Sequence, residues 1–436
     1  MSLTRRNVMK MIPAAAAAAS LTPRGFAQAD TPHHVVVVGG GFAGCTVAKY
    51  LRMWSNQGIA VTLVEPKTKH VSCIMSNLIL NEQLTTRDLS FSYDALRDQY
   101  GVNVVRAKAV LINGPEHTLK LKGQAEPLAY DSLVVATGIK FKRVKGEYDS
   151  KLTPHAWIAG SQSNLLRDQI KAMPANGTFI MTIPKAPYRC PPGPYERACL
   201  VANILGTRSG ALSGNTSPAD TPTVLVLDEN PGIQAEKETF TRAFNDLYGN
   251  IVTYIQDARV QTVNSAAREV TTSKGTYSGD VLNVIPRHSA QQVLKKSGLT
   301  NSAGWVPVDP VTYESEDPDF RDVYVIGDSQ GTGQPKSGHM ANSQAKVCAD
   351  AIVRTQLLNL SAHTDERLAN ITTNSACFSP ITADEASWLT AVFKYNSENG
   401  QMGLAPGSLG EAHNWNSENY QDMFAWSENL FADTFM

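Results

Sequence analysis

Net charge is almost absent: 39 Lys and Arg stand against 40 Asp and Glu over 436 residues, a formal charge of −1. No basic excess is available to neutralise a phosphate backbone, which argues against nucleic acid as a partner. Cysteine is scarce as well, six in all, too few for a disulfide scaffold at this length. There is no Cys-x-x-Cys-His run, so the chain attaches no c-type haem of its own. No cysteine–histidine cluster has metal-ligand spacing, so no metal is expected. No stretch is long and apolar enough to read as an integral membrane segment.

The N-terminus reads as an address. Thr4-Arg5-Arg6-Asn7-Val8-Met9-Lys10 is a twin-arginine pattern, an Ala-rich run follows, and Ala27-Gln28-Ala29 offers a small-residue cleavage site. Residues 1–29 are expected to be a leader that exports a folded chain to the periplasm, where a cysteine pair can persist as a disulfide.

Beyond the leader, His33-His34-Val35-Val36-Val37-Val38 reads as a buried parallel strand entering a tight turn. Gly39, Gly41 and Gly44 occupy the fingerprint positions of a dinucleotide turn, a helix follows, and the next strand ends in Glu65, at the distance of a ribose contact. Two later strands end in Ala136-Thr137-Gly138 and in Gly327-Asp328. Both endings resemble the paired FAD signatures of two-dinucleotide flavoproteins of the glutathione-reductase type, in which Asp328 would accept from the ribityl chain. FAD is the expected cofactor.

The second lobe lacks what the first one has. Gly177 to Ile183 reads as the opening strand of another nucleotide-type domain, yet Pro184, Pro187, Cys190, Pro191 and Pro192 fill the place of a Gly-rich turn. Proline has no N–H to offer a pyrophosphate, so NAD(P) is not expected. A hairpin feeding a buried strand occurs twice, before Val134 and before Leu282, which supports two lobes of similar build. Cys190 leaves the second-lobe strand and Cys377 lies in the C-terminal region. From spacing alone they are equally a redox-active cross-domain disulfide, a structural bridge or two buried thiols; a Cys190–Cys199 bridge is a further pairing. Cys45, Cys199 and Cys348 fall on predicted helices as apolar side chains. Glu196, six residues past Cys190, is a candidate acid–base group or a solvent-facing first-turn glutamate. Lys336, with the helix that begins after Ser337, is expected to bring positive charge to the flavin N1/O2 edge, where reduced flavin is anionic. Trp426 reads as an interface aromatic.

Arg189-Cys190-Pro191-Pro192-Gly193-Pro194-Tyr195-Glu196-Arg197-Ala198, Cys73-Ile74-Met75-Ser76-Asn77, Pro335-Lys336-Ser337-Gly338 and Asp433-Thr434-Phe435 strongly resemble the flavoprotein subunit of flavocytochrome c sulfide dehydrogenase. The resemblance implies that Cys190 and Cys377 form a redox-active disulfide and that Cys73 holds FAD through a thioether at the flavin 8α carbon. It also implies hydrogen sulfide as substrate and a c-type cytochrome subunit as partner.

The expected fold is α/β, two Rossmann-like three-layer domains with a smaller C-terminal α+β interface domain. The first FAD-binding part spans 30–146, the second Rossmann-like domain 147–286, the returning FAD-binding part 287–361 and the interface domain 362–436. A sulfide:quinone oxidoreductase and a non-catalytic flavoprotein accessory to a sulfur carrier remain alternatives, as does, more weakly, an NADH-dependent disulfide reductase.

Overall fold

Four consecutive valines leave His34–Val38 no polar face to turn to water, and the strand lies in the middle of a five-stranded sheet. From edge to edge the order is Val323–Val325, Ser132–Val135, His34–Val38, Ala60–Val64 and Asn103–Val105, every neighbour parallel. Such a sheet needs cover on both faces, which is why its strands are apolar runs rather than alternating ones. The computed structural model describes residues 32–436; the leader expected over residues 1–29 lies outside them.

A second parallel sheet follows the order Val252–Ile255, Thr223–Asp228, Thr178–Ile183 and Val281–Val284. The chain crosses between the sheets twice, and the crossing segments Ile139–Phe141 and His288–Ala290 pair antiparallel. An antiparallel hairpin precedes a buried strand in each lobe: Ala109–Asn113 with Thr118–Leu121 before Ser132–Val135, and Val260–Asn264 with Glu269–Thr272 before Val281–Val284. Among the described residues, no helix is long and apolar enough to cross a membrane.

After residue 361 the pattern becomes antiparallel. Thr372–Pro380 pairs with Ala386–Asn396, placing Cys377 opposite Leu389 and Ser379 opposite Ser387. The closing helix, Ser417–Phe435, starts at Asn416, whose side chain accepts the Asn419 N–H at 2.8 Å. Its far end is anchored by charge. Lys49 Nζ donates to the carbonyls of Ala432, Asp433 and Met436 at 3.3, 3.0 and 2.7 Å, the groups a helix C-terminus leaves unpaired. The Asp433 carboxylate takes Tyr50 Oη at 2.6 Å, Asn342 Nδ2 at 2.8 Å and Lys346 Nζ at 2.8 Å. The C-terminal helix is thereby bound to the helices Phe42–Trp54 and Gly338–Ile352 that cover the first sheet.

The tightest point in this architecture is the first turn. Gly39 has φ +107, and a Cβ on Gly44 would stand 1.7 Å from the Gly39 carbonyl oxygen. Only glycine permits the helix to leave so close to the strand. Gly44→Ala should lower the unfolding free energy by roughly 1–3 kcal/mol, read as a lower urea midpoint at unchanged slope.

Candidate active site

The glycine turn opens onto a groove of about 630 Å³, the size range of an organic cofactor site. Gly39, Gly41, Glu65 and Cys73 line it, together with Ala136-Thr137-Gly138 and Gly327-Asp328. Gly44 stands just behind it as the packing glycine. The Glu65 carboxylate accepts the N–H of Gly40 at 2.8 Å and of Lys67 at 2.9 Å, which holds the acid at the groove edge. Three buried polar atoms in the groove wall lack any hydrogen-bond partner among the described residues: Thr137 Oγ1, Asp328 Oδ1 and His70 Nε2. Orphaned buried groups are costly unless a ligand satisfies them. A ligand bearing phosphates, hydroxyls and a flat ring system suits this wall, and the residues present fit FAD.

Lys336 departs from expectation. Its ammonium is buried, donates to the carbonyls of Asp328 at 2.9 Å and Gln330 at 2.7 Å, and lies 3.8 Å from the Trp305 ring centroid. Burial lowers its pKa to about 8, against the pull of Asp328. It braces the loop behind the groove rather than lining it; Ser337 and Gly338, at the N-terminus of the following helix, are the residues that reach the groove. Sequence fixes where that lysine leaves the backbone but not which way its four-carbon stem turns.

A smaller pocket of about 60 Å³, room for a few waters or a species the size of hydrosulfide, adjoins the groove. Cys190, Cys377 and Glu196 line it, with Trp426 across from them, and Cys73, Arg189, Ser337 and Gly338 border both spaces. All six cysteines carry free thiols in this structure. Cys45, Cys199 and Cys348 are buried on helices, away from both spaces. Cys190 has φ +58, a conformation its surroundings must enforce. Its N–H donates to the Lys336 carbonyl at 2.7 Å and its carbonyl accepts the Gly193 N–H at 3.0 Å. A Cβ at Gly193 would come within 2.8 Å of the Cys190 sulfur, so glycine keeps that sulfur uncovered. Burial raises both thiols: Cys190 well above its ordinary value, and Cys377 to about 12, with Glu236 and Glu196 adding repulsion at Cys377.

Glu196 is not the solvent-facing glutamate that a first-turn position allows. It is 8% exposed, and Asn77 Nδ2 donates to its Oε1 at 2.9 Å. Burial pushes its carboxyl from 4.5 up to about 8, although Asn77 and Arg197 pull the other way. Arg197 is the residue that the sequence reading left without a role. Its guanidinium donates to Asn77 Oδ1 at 3.0 Å, Asn283 Oδ1 at 2.9 Å and the Ala156 carbonyl at 2.6 Å, and lies 4.9 Å from the Trp157 ring. It joins the helix Gly193–Ser209 to both lobes around the pocket. Its place directly after Glu196 was visible; its partners, far off in sequence, were not.

In the second lobe Asp228 ends its strand where Glu65 ends the equivalent one. Its Oδ2 accepts from Tyr195 and Tyr254, each at 2.8 Å, while Asn230 supplies two bonds to Oδ1 at 2.9 and 2.7 Å. Tyr195 is fully buried there.

Sequence comparison meets this geometry. Residues 33–161 match the pyridine nucleotide-disulphide oxidoreductase family. Residues 163–286, the lobe that carries Cys190 and Glu196, match the central domain of the sulfide dehydrogenase (flavocytochrome c) flavoprotein chain. The chain belongs to this flavoprotein family. A 45-residue stretch is 60% identical to the sulfide dehydrogenase flavoprotein chain of Chlorobaculum thiosulfatiphilum, covering 10% of this chain and 92% of that one. The mitochondrial sulfide:quinone oxidoreductase of Dictyostelium discoideum is 26% identical over 381 residues, 84% of this chain and 78% of that one. In fold, the flavoprotein is similar to the sulfide:quinone oxidoreductase of Aquifex aeolicus, with a TM-score of 0.73 at 17% identity over 92% of each chain.

The carboxyl at Glu196 has a consequence for stability. Its folded-state pKa lies above the unfolded one, so the folded protein holds an extra proton between about pH 4.5 and about 8, and stability falls as pH rises through that window. Glu196→Gln should remove a slope of up to roughly 1 kcal/mol per pH unit from the unfolding free energy, measured by urea titration across that range.

Proposed function

We propose that this flavoprotein oxidises hydrogen sulfide in the periplasm through Cys190 and Cys377 and delivers the electrons to a c-type cytochrome subunit. The observation that carries the reading is convergence. Two cysteines from separate segments and a buried glutamate of raised pKa share one small pocket, and that pocket borders the dinucleotide groove at Cys73.

In this reading Cys190 and Cys377 are a disulfide in the resting protein. Hydrosulfide attacks one of the two sulfurs; a new sulfur–sulfur bond forms, the old one breaks, and its electron pair remains on the other cysteine as a thiolate. Glu196, buried and poised near neutrality, takes a proton from hydrogen sulfide and can return it to a leaving thiolate. FAD, when bound, supplies an acceptor that takes two electrons together and releases them singly. Cys73 stands where groove and pocket meet and is the residue to tether it. Two observations support a protein without NAD(P): the proline-rich loop has few N–H groups to offer a pyrophosphate, and Asp228 is already sealed by two tyrosines.

The acceptor divides this reading from a second one. The relatives matched over most of their length are named sulfide:quinone oxidoreductases, which favours quinone. The closing helix favours a soluble acceptor: its exposed positions include Glu418, Gln421, Asp422, Glu428 and Asn429, a poor face for a membrane surface.

Sulfide-dependent reduction of a c-type cytochrome, measured beside reduction of a soluble quinone, decides between them, and cytochrome should be the faster acceptor. Cys190→Ser and Cys377→Ser should each bring turnover to about 1% of wild type or less, because each removes one half of the bond that is attacked. The denatured wild-type chain should carry the mass of FAD, and Cys73→Ala should lose it.

A further inference from the structure

Glu236 is a buried acid without a cation partner among the described residues. It is 1% exposed, no Lys, Arg or His among the described residues forms an ion pair with it, and its Oε1 has no hydrogen-bond partner among them. Its other oxygen accepts from Ser379 Oγ at 2.5 Å. Ser379 lies two residues beyond Cys377 on the strand Thr372–Pro380, so the two side chains share one face of that strand. Ser387 stands directly opposite Ser379 in register, and its Oγ has no hydrogen-bond partner among the described residues. The backbone at Glu236 has φ +48, a left-handed conformation that a glutamate adopts only where its surroundings impose it.

The groups that face it are all acidic or neutral. Glu196 and Cys199 face it from the helix Gly193–Ser209, Cys377 from the strand Thr372–Pro380, and Glu411 from the edge strand Gly410–Glu411, which is exposed. Among charged neighbours, Glu236 exerts the largest effect on Cys377. Burial without a cation drives its carboxyl from 4.5 up to about 7, partly offset by the bond from Ser379. A negative charge on Glu236 and one on Cys377 therefore oppose each other, and the two groups are linked through one proton.

We propose that Glu236 is a proton-storing partner of Cys377, protonated while that sulfur is a thiolate and ionised while it is bonded to Cys190. This rests on the sulfide reading above. When hydrogen sulfide opens the disulfide toward Cys377, its sulfur bonds to Cys190 and keeps one proton. The electron pair of the broken bond stays on Cys377, and the second proton, taken from hydrogen sulfide by Glu196, passes on to Glu236. Closing the disulfide again requires that a further hydrosulfide carry off the outer sulfur as a hydropersulfide and that two electrons pass to the acceptor FAD would supply; Cys377 then loses its charge and Glu236 releases its proton. Glu236 is a positioning residue: it touches no substrate and acts through the charge of the thiol.

The test reads the thiol itself. Holoprotein reduced anaerobically by a phosphine is alkylated with iodoacetamide between about pH 6 and about pH 9, and Cys377 labelling is followed by peptide mass spectrometry. In wild type the logarithm of the rate should bend near pH 7, rising less steeply above it. Glu236→Gln should remove that bend and raise the rate at pH 8 by roughly threefold to tenfold. Ser379→Ala, which keeps the carboxyl but removes a bond that favours its ionised form, should move the bend to higher pH. An unchanged profile in Glu236→Gln, or no bend in wild type, overturns the proposal. If the bend and its shifts are present but sulfide reduces no acceptor, the linkage stands and the sulfide reading falls.

Discussion

The hydrogen bond that sets Cys190 in the site runs from its N–H to the carbonyl of Lys336, at 2.7 Å. It ties the loop that leaves the second sheet to the segment that enters the Gly338–Ile352 helix of the first lobe. A cysteine at positive φ costs of the order of 1–3 kcal/mol, so the conformation survives only because both ends of the loop are fixed. The prolines around it restrict what else the loop can do, and Gly193 leaves the sulfur uncovered. Cys377 is set more simply, by its register on a nine-residue strand.

Few acids reach the pocket that the two cysteines share. Glu196 lines it and Glu236 lies outside the lining, reached through Ser379; of the two guanidiniums, Arg189 borders the groove as well, and Arg197 is saturated by carbonyls, two asparagines and the Trp157 face. Desolvation then raises Cys190, Cys377, Glu196 and Glu236. A disulfide carries no charge and escapes this penalty, whereas a thiolate bears it in full. The surroundings therefore favour the bonded pair or the protonated thiols over free thiolates, and opening the bond must be accompanied by proton uptake nearby. Buried carboxyls that titrate close to neutrality are the groups suited to that exchange.

What the sequence disclosed was mostly backbone. Gly39 and Gly44 announced a turn because only glycine survives that geometry, and four valines in a row announced a strand buried on both faces. Lys336 was read from its position and its ammonium turned the other way, toward Asp328 and Gln330. Glu236 carried no motif at all: its partner Ser379 lies 143 residues away, and burial without a cation is invisible in one dimension. The meeting of Cys190 and Cys377 in one pocket was likewise beyond spacing, and entered through resemblance to a family. Side-chain direction and long-range pairing are decided by packing, after local preference has been exhausted.

The two lobes treat the acid at the end of their second strand differently. Each parallel sheet has a strand that ends in an acid, Glu65 in one and Asp228 in the other. Glu65 keeps its place with two backbone N–H groups and still borders an open groove. Asp228 lines neither space; Tyr195 and Tyr254 donate to one oxygen and Asn230 to the other. Burial still lifts its pKa, with those bonds working against the shift. Without such donors a buried acid there would be an unpaired charge. Tyr195 comes from the same run that carries Cys190 and Glu196, so one segment both donates to Asp228 and presents the thiol, while the parallel sheet beneath it is of the same kind as the first.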